Sequence, residues 1–163
     1  MQDRQDIMGL DGTIISHPKV WVASGHVENF ADILLTCQKC KNKVRADQFL
    51  EEQLKEHFDG VKAKRINELI TQHKLGCPQC KGQWESAVDF NLMFETNVGP
   101  AKDQSSVAYL RPETAQLIFA DFKLIFETCR AKLPFGIAQS GKAFRNEISP
   151  RDFLFRMREF EQM

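Results

Sequence analysis

Cysteines 37, 40, 77 and 80 constrain this chain more than any other feature. Cys37-x-x-Cys40 and Cys77-x-x-Cys80 each form a knuckle able to give two thiolates to one tetrahedral zinc. If one ion serves both pairs, the 36 residues between them make a closed excursion. A compact two-knuckle ribbon needs only about 15 to 20 residues there. The surplus contains DQFLEEQLKEHF and VKAKRINELITQHK, Lys- and Glu-rich runs with helix-like spacing, so the spacing predicts a zinc-binding helical insertion over residues 37–84. Gly76 and Pro78 suit the tight second knuckle, and Lys39, Lys41 and Lys43 offset thiolate charge around the first. Four thiolates leave no open coordination position, so the expected zinc is structural. The competing reading is ordinary buried or redox thiols.

Composition enters where it decides between these readings. No apolar run approaches the ~20 residues of a membrane span, and MQDRQDIMGLDG is too polar for a secretory signal. The expected location is therefore cytoplasmic, where a reducing milieu keeps thiols free and favours metal over disulfides. Basic and acidic residues balance at 22 each, so no global field steers the chain onto nucleic acid or an anionic membrane. An anion site has to be local. From Arg130 onward seven Lys or Arg stand against four Asp or Glu, which marks that stretch.

Outside the insertion the pattern predicts an α+β fold, an antiparallel sheet with flanking helices. In residues 1–36, His17-Pro18 reads as a barrier to helix, with Val20, Trp21 and Val22 extended or in the core beyond it. Residues 85–163 open with one strand through DFNLMFET, a loop, and a short strand in AYLRP. A helix is expected from Pro112, with Glu113 in its first turn. Its buried face would carry Ala115, Ile118, Phe119, Phe122, Ile125, Phe126 and Cys129, and Pro134 would stop it. Two further strands, FGIAQSGKAFRNEI and FLFRMREFEQM, should pair antiparallel about a turn at Ser149-Pro150-Arg151-Asp152. The chain stops inside that last strand pattern, which reads as a fragment. His17, His26, His57 and His73 converge on no spacing that suggests a site and are read as structural.

The segment AFRNEISPRDFLFRMREF threads four arginines and two glutamates between four phenylalanines. Residues two apart on a strand share a face, so Arg145 would point with Glu147, and Arg156 with Arg158 and Phe160. Such a face offers guanidinium groups for phosphates, a ring for stacking and a carboxylate for an exocyclic amine, which are the needs of ATP. An edge hairpin whose charges pair across the strands is the alternative.

FRNE, a loop and then Arg156-x-x-x-Phe160 resemble motif 2 of the class II aminoacyl-tRNA synthetases. More narrowly, GLDGTIISHPKVWVASGHVENF, the CxxCKNKVRAD knuckle, YLRPETAQ and KLPFGIAQSGKAFRNEISPRDFLFRMREFEQM resemble glycyl-tRNA synthetase of the homodimeric type. The resemblance implies a glycine–tRNA ligase using ATP and Mg2+, with glycine and tRNA(Gly) as substrates. It implies that Arg145 grips the α-phosphate, Glu147 accepts from the adenine amino group, Phe160 stacks on adenine, Arg156 faces the terminal phosphates and Arg158 helps fix the strand loop. Asn146, Phe155, Met157 and Glu159 complete the implied ATP site. Glu113 would bind the glycine ammonium, Arg45 would reach the substrate from the insertion, and Phe160, Glu161, Gln162 and Met163 would line the amino acid pocket. The segment around His17-Pro18 would correspond to motif 1, which serves the dimer interface. Motif 3 and an anticodon-binding domain have no counterpart in these residues, so the expectation is a central piece of the catalytic domain. A zinc-dependent nucleic-acid binding module and a silent synthetase paralogue are the rival function classes; neutral charge and the lack of a basic stripe weigh against the former.

Overall fold

The computed structural model describes residues 4, 6–58, 60–100, 103–148 and 156–163, and the chain divides into two units. The first comprises Met1–Asn29, Met93–Asn146 and Met157–Met163; the second comprises Phe30–Leu92 and Glu147–Arg156. Both mix helices with mainly antiparallel strands. No helix among the described residues is long and apolar enough to cross a membrane.

In the second unit, β3 (Ala31–Thr36) lies between β4 (Lys43–Arg45) and β5 (Val88–Asn91), antiparallel to both. Two helices, α3 (Ala46–Leu54) and α4 (Ala63–Gln72), match the two runs predicted to be helical, α3 starting one residue before its run and α4 lying within its own. Ala46, Phe49 and Leu50 are buried on α3, and Ile66 and Leu69 on α4, the three- and four-residue spacing of one helical face. They form one apolar core with Leu35, Phe58, Cys37, Cys77, Trp84 and Ala87.

In the first unit, β1 (Ile7–Gly9) pairs parallel with β8 (Gly136–Ala138). β7 (Val107–Leu110) lies between β2 (Ile15–Ser16) and β6 (Phe94–Asn97), and β9 (Gly141–Phe144) pairs antiparallel with β10 (Glu159–Gln162). The helices are α1 (Pro18–Ala23), α2 (His26–Asn29), α5 (Ala115–Ala120) and α6 (Phe122–Thr128). Trp21, fully buried, is its largest core side chain.

Four expectations need correction. Pro18 starts a helix rather than preventing one: it takes the first helical position, where its missing N–H costs nothing, and His17 Nδ1 caps the turn by accepting from Lys19 N at 3.2 Å. The DFNLMFET run is two strands, because the chain changes sheets: β5 pairs with β3, whereas β6 pairs with β7, and Leu92 and Met93 between them are buried. The helix expected from Pro112 begins at Ala115 and breaks at Asp121. Across the two helices the buried residues are Leu117 and Ile125, while Phe119 is 76% exposed and Phe122, Phe126 and Cys129 are exposed too. Finally, the strand FGIAQSGKAFRNEI divides into β8 and β9, and β9 ends at Phe144. Arg145, Glu147, Arg156 and Arg158 therefore lie outside the ladder whose alternation was to set their faces. The turn at 149–152 falls outside the described residues.

Candidate functional site

The two knuckles fold alike. In each, the first cysteine's carbonyl accepts from the lysine four residues on, Lys41 N to Cys37 O at 3.1 Å and Lys81 N to Cys77 O at 2.8 Å. Both lysines adopt positive φ, 57° in each case, which turns the chain back over the thiols. Cys37 N and Cys77 N then donate to Asn42 O and Gly82 O. Cys37 Sγ lies 3.5 Å from Cys80 Sγ, and Cys40 Sγ 3.6 Å from Cys77 Sγ. All four sulfurs fall within 4.8 Å of one another. A regular tetrahedron with zinc–sulfur bonds near 2.3 Å has sulfur separations of about 3.8 Å, so the donor set fits the ion.

Backbone N–H groups and neighbouring sulfurs set the acidity of these thiols. The Cys40 N–H, against the effect of burial, holds the Cys37 thiol down to about 6, helped by Lys39 N–H and the neighbouring thiols. Cys77 is lowered as well: burial opposes this, but the N–H groups of Cys80 and Gln79 outweigh it. Cys40 receives the Asn42 N–H but is pushed up to about 12 by the Cys80 sulfur, burial and its other sulfur neighbours. Gly82 leaves the space the sulfurs need, since a Cβ there would lie 3.1 Å from Cys80 Sγ and 3.2 Å from Cys37 Sγ.

The same unit holds a second polar cluster. Arg45 ends β4 and directly precedes α3, and its guanidinium is enclosed by two carboxylates. Nη1 lies 2.9 Å from Asp32 Oδ2, Nε donates to Asp47 Oδ1 at 3.1 Å, and Nη2 donates to Asp47 Oδ2. The adjacent Arg156 Nη1 lies 3.8 Å from Glu147 Oε2. Burial raises Asp32 above the ordinary carboxylate value against the pull of Arg45, with Asp47 and Glu147 adding to the rise. Burial acts on Asp47 too, but Arg45 and the Gln48 N–H hold it below the ordinary value.

In the first unit the RPETAQ segment joins β7 to α5 and is pinned from several sides. Arg111, 2% exposed, donates from Nε to Lys142 O at 2.7 Å and from Nη1 to Gly12 O at 2.8 Å. A Cβ on Gly141 would approach Arg111 Nη2 to 2.5 Å, so the guanidinium occupies what a side chain would take. Arg145 Nε donates to Pro112 O at 3.3 Å, and Thr114 N donates to Gln162 Oε1 at 3.1 Å. The Arg145 guanidinium also stands 5.2 Å from the centre of the Phe160 ring, a cation–π arrangement. Glu113 Oε1 accepts from Gln116 Nε2 at 2.6 Å and lies 3.4 Å from His26 Nε2.

This sequence has many counterparts among curated proteins. No family model matches the chain. The glycine–tRNA ligase of Malacoplasma penetrans is 49% identical over 94% of the chain and 34% of its own length. That of Treponema denticola is 50% identical over 99% of the chain and 32% of its own length. That of Geobacillus thermodenitrificans is 46% identical over the whole chain and 36% of its own length. The chain is a relative of the glycine–tRNA ligases. It spans about a third of the length of the ligases it matches.

Among the residues that the ligase resemblance singled out, Arg145, Phe160, Gln162 and Glu113 belong to the first unit, and Arg45, Glu147 and Arg156 to the second. Arg145 meets Phe160, Gln162 meets the residue after Glu113, and Arg156 approaches Glu147. Asn146 is half-buried beyond β9. Met157 and Arg158 are exposed, and the Arg158 carbonyl accepts from Arg145 N at 3.0 Å, one bond beyond the strand pair. Glu159 is exposed and pairs with Lys142 across the ladder, which is the charge pairing of an ordinary edge hairpin at that position. Glu161 and Met163 are exposed, and Phe155 lies outside the described residues. Reading the sequence missed Arg111, His26, Asp32 and Asp47. Arg111 carried a signal, a charged residue closing an otherwise apolar strand before Pro112. Asp32 and His26 carried none, since their partners lie 13 and 87 positions away.

Proposed function

We propose that the chain is part of the class II catalytic domain of a cytoplasmic, homodimeric glycine–tRNA ligase, which activates glycine with ATP and transfers it to tRNA(Gly). The observation that carries this reading is identity near one half to glycine–tRNA ligases along nearly the whole chain. In the activation step a glycine carboxylate oxygen attacks the α-phosphorus, the bond to the β-phosphate oxygen breaks, and pyrophosphate leaves. No enzyme nucleophile is needed, so positioning and charge stabilisation carry the chemistry. Arg145 serves the α-phosphate, and its bond to Pro112 O and contact with Phe160 support that role by restraining the guanidinium. Phe160 stacks on adenine, Glu147 accepts from its amino group, and Arg156 faces the terminal phosphates, with Asn146, Phe155, Met157, Arg158 and Glu159 shaping the segment between.

Glu113 takes the glycine ammonium. Arg45 serves the substrate from the inserted unit with its guanidinium held by Asp32 and Asp47, and Glu161, Gln162 and Met163 close the amino acid pocket. Cys37, Cys40, Cys77 and Cys80 hold zinc, which supplies fold rather than chemistry. Magnesium, when bound, neutralises phosphate charge. The test is glycine-dependent exchange of pyrophosphate into ATP by the chain, with Arg145→Ala as control. Exchange that requires glycine and falls at least a hundredfold in the control is expected, the usual scale for removing a transition-state donor. Exchange indifferent to glycine, or none from folded protein, would refute activity in this chain.

A further inference from the structure

We propose that His26 is a positioning residue for Glu113, holding one carboxylate oxygen so that the other is presented to a primary ammonium. The inference rests on the reading of Glu113 as the ammonium ligand and deepens it. Glu113 follows Pro112 in the irregular segment before α5, so its own backbone does little to orient the side chain. Two groups converge instead on Oε1: Gln116 Nε2 at 2.6 Å and His26 Nε2 at 3.4 Å. Oε2 receives neither. The Glu113 side chain is 29% exposed and that of His26 only 14%, so the carboxylate reaches solvent while its holder is covered.

The imidazole is itself held. Its ring meets Trp21 edge to face, with centroids 5.5 Å apart, and Trp21 is fully buried. Its Nδ1 lies 2.9 Å from Ser24 Oγ, which is also 3.3 Å from Trp21 O. If the Ser24 hydroxyl donates to Nδ1, the neutral ring carries its hydrogen on Nε2. If the hydroxyl donates to Trp21 O, Nδ1 must donate to Oγ, and the ring then faces Glu113 with a hydrogen on Nε2 only as imidazolium. A neutral ring with a bare Nε2 would set a lone pair against a carboxylate oxygen. Both acceptable arrangements put the ring's hydrogen on Nε2, 3.4 Å from Glu113 Oε1, the way a histidine's partner fixes its tautomer elsewhere.

Two measurements on the whole chain test this. Long-range 15N–1H spectra should show a hydrogen on His26 Nε2 at every pH; a neutral ring protonated on Nδ1 alone would overturn the inference. Glycine, titrated in the presence of AMP and followed by backbone amide shifts, should bind about tenfold more weakly to His26→Phe, the scale of one hydrogen bond to a charged group. His26→Gln, which returns an N–H near Nε2, should recover most of that loss, and AMP affinity should stay unchanged in both. Equal loss in the two variants at unchanged melting temperature, or no loss in either, would overturn the inference. Glu113→Gln separates the layers: a glycine response identical to wild type, including none in both, refutes the ammonium reading itself. Lost glycine binding there, beside unaffected His26 variants, refutes only the role of His26.

Discussion

At the scale of single residues, Asp32 and Asp47 show how one arginine can treat two carboxylates differently. Both face Arg45, yet Asp47 accepts from two guanidinium nitrogens and a backbone N–H, while Asp32 Oδ2 lies 2.9 Å from Nη1 as an ion pair without a hydrogen bond and sits among like charges. Asp47 is held below its ordinary value, so the stability it contributes is fully present above its unfolded value of about 3.9 and is lost as pH falls through the folded value. Asp32 is raised, so its ionisation disfavours the fold as pH climbs through that raised value. Asp47→Asn should therefore cost about 1 to 3 kcal/mol at pH 7, and Asp32→Asn clearly less. Urea unfolding at pH 7 checks the order, and repeating it at pH 3 should narrow the gap between Asp47→Asn and wild type. A larger cost for Asp32→Asn at pH 7 would show that Arg45 is anchored from β3 rather than from α3.

At the scale of elements, the broken helix after RPETAQ gives a direct comparison. Leu117 is 8% exposed and lies so near Gly12 that a Cβ there would meet its Cδ1 at 2.7 Å, whereas Phe119, larger and two positions on, is 76% exposed. Leu117→Ala should cost about 2 to 5 kcal/mol as a core truncation, and Phe119→Ser should change stability by about 0.5 kcal/mol or less, both read from chemical denaturation. Helix periodicity across 115–129 pointed to Phe119 as one of seven apolar positions on a single stripe, but of these seven Ile125 alone is buried. Where an element is set by neighbours in sequence, reading was sound: α3, α4 and both knuckles follow from spacing within a dozen residues. The pairing of β9 with β10 was legible for the same reason, through alternation on both strands. Pro18 misled because proline forbids helix interiors and favours helix starts, and His17 as the cap decides which. The candidate site's arginines and acids could be named from the sequence, but the contacts that hold them could not. Arg111 to Gly12 and His26 to Glu113 are contacts that only the fold creates.

At the scale of the molecule, each unit carries one tryptophan in its own core, Trp21 in the first and Trp84 in the second. Trp84 forms a backbone bridge to Cys37 and packs edge-on against Phe49 at 5.1 Å, so the candidate metal site and this core are one structure. Structural zinc contributes about 10 to 16 kcal/mol in small Cys-rich domains, as much as the entire net stability of a typical domain, about 5 to 15 kcal/mol. The second unit should therefore not survive loss of metal. Among the described residues none of the four clustered cysteines belongs to the first unit, where the Trp21 ring meets His26 edge to face. Removing zinc with a strong chelator should red-shift the emission of Trp21→Phe, which retains Trp84, while Trp84→Phe keeps the blue emission of a buried Trp21. Restoring zinc should reverse the shift, and Cys77→Ser should reproduce the metal-free spectrum without chelator. If both reporters shift together at the same chelator concentration, the surroundings of Trp21 depend on the metal as well, and the independence of the two cores is refuted.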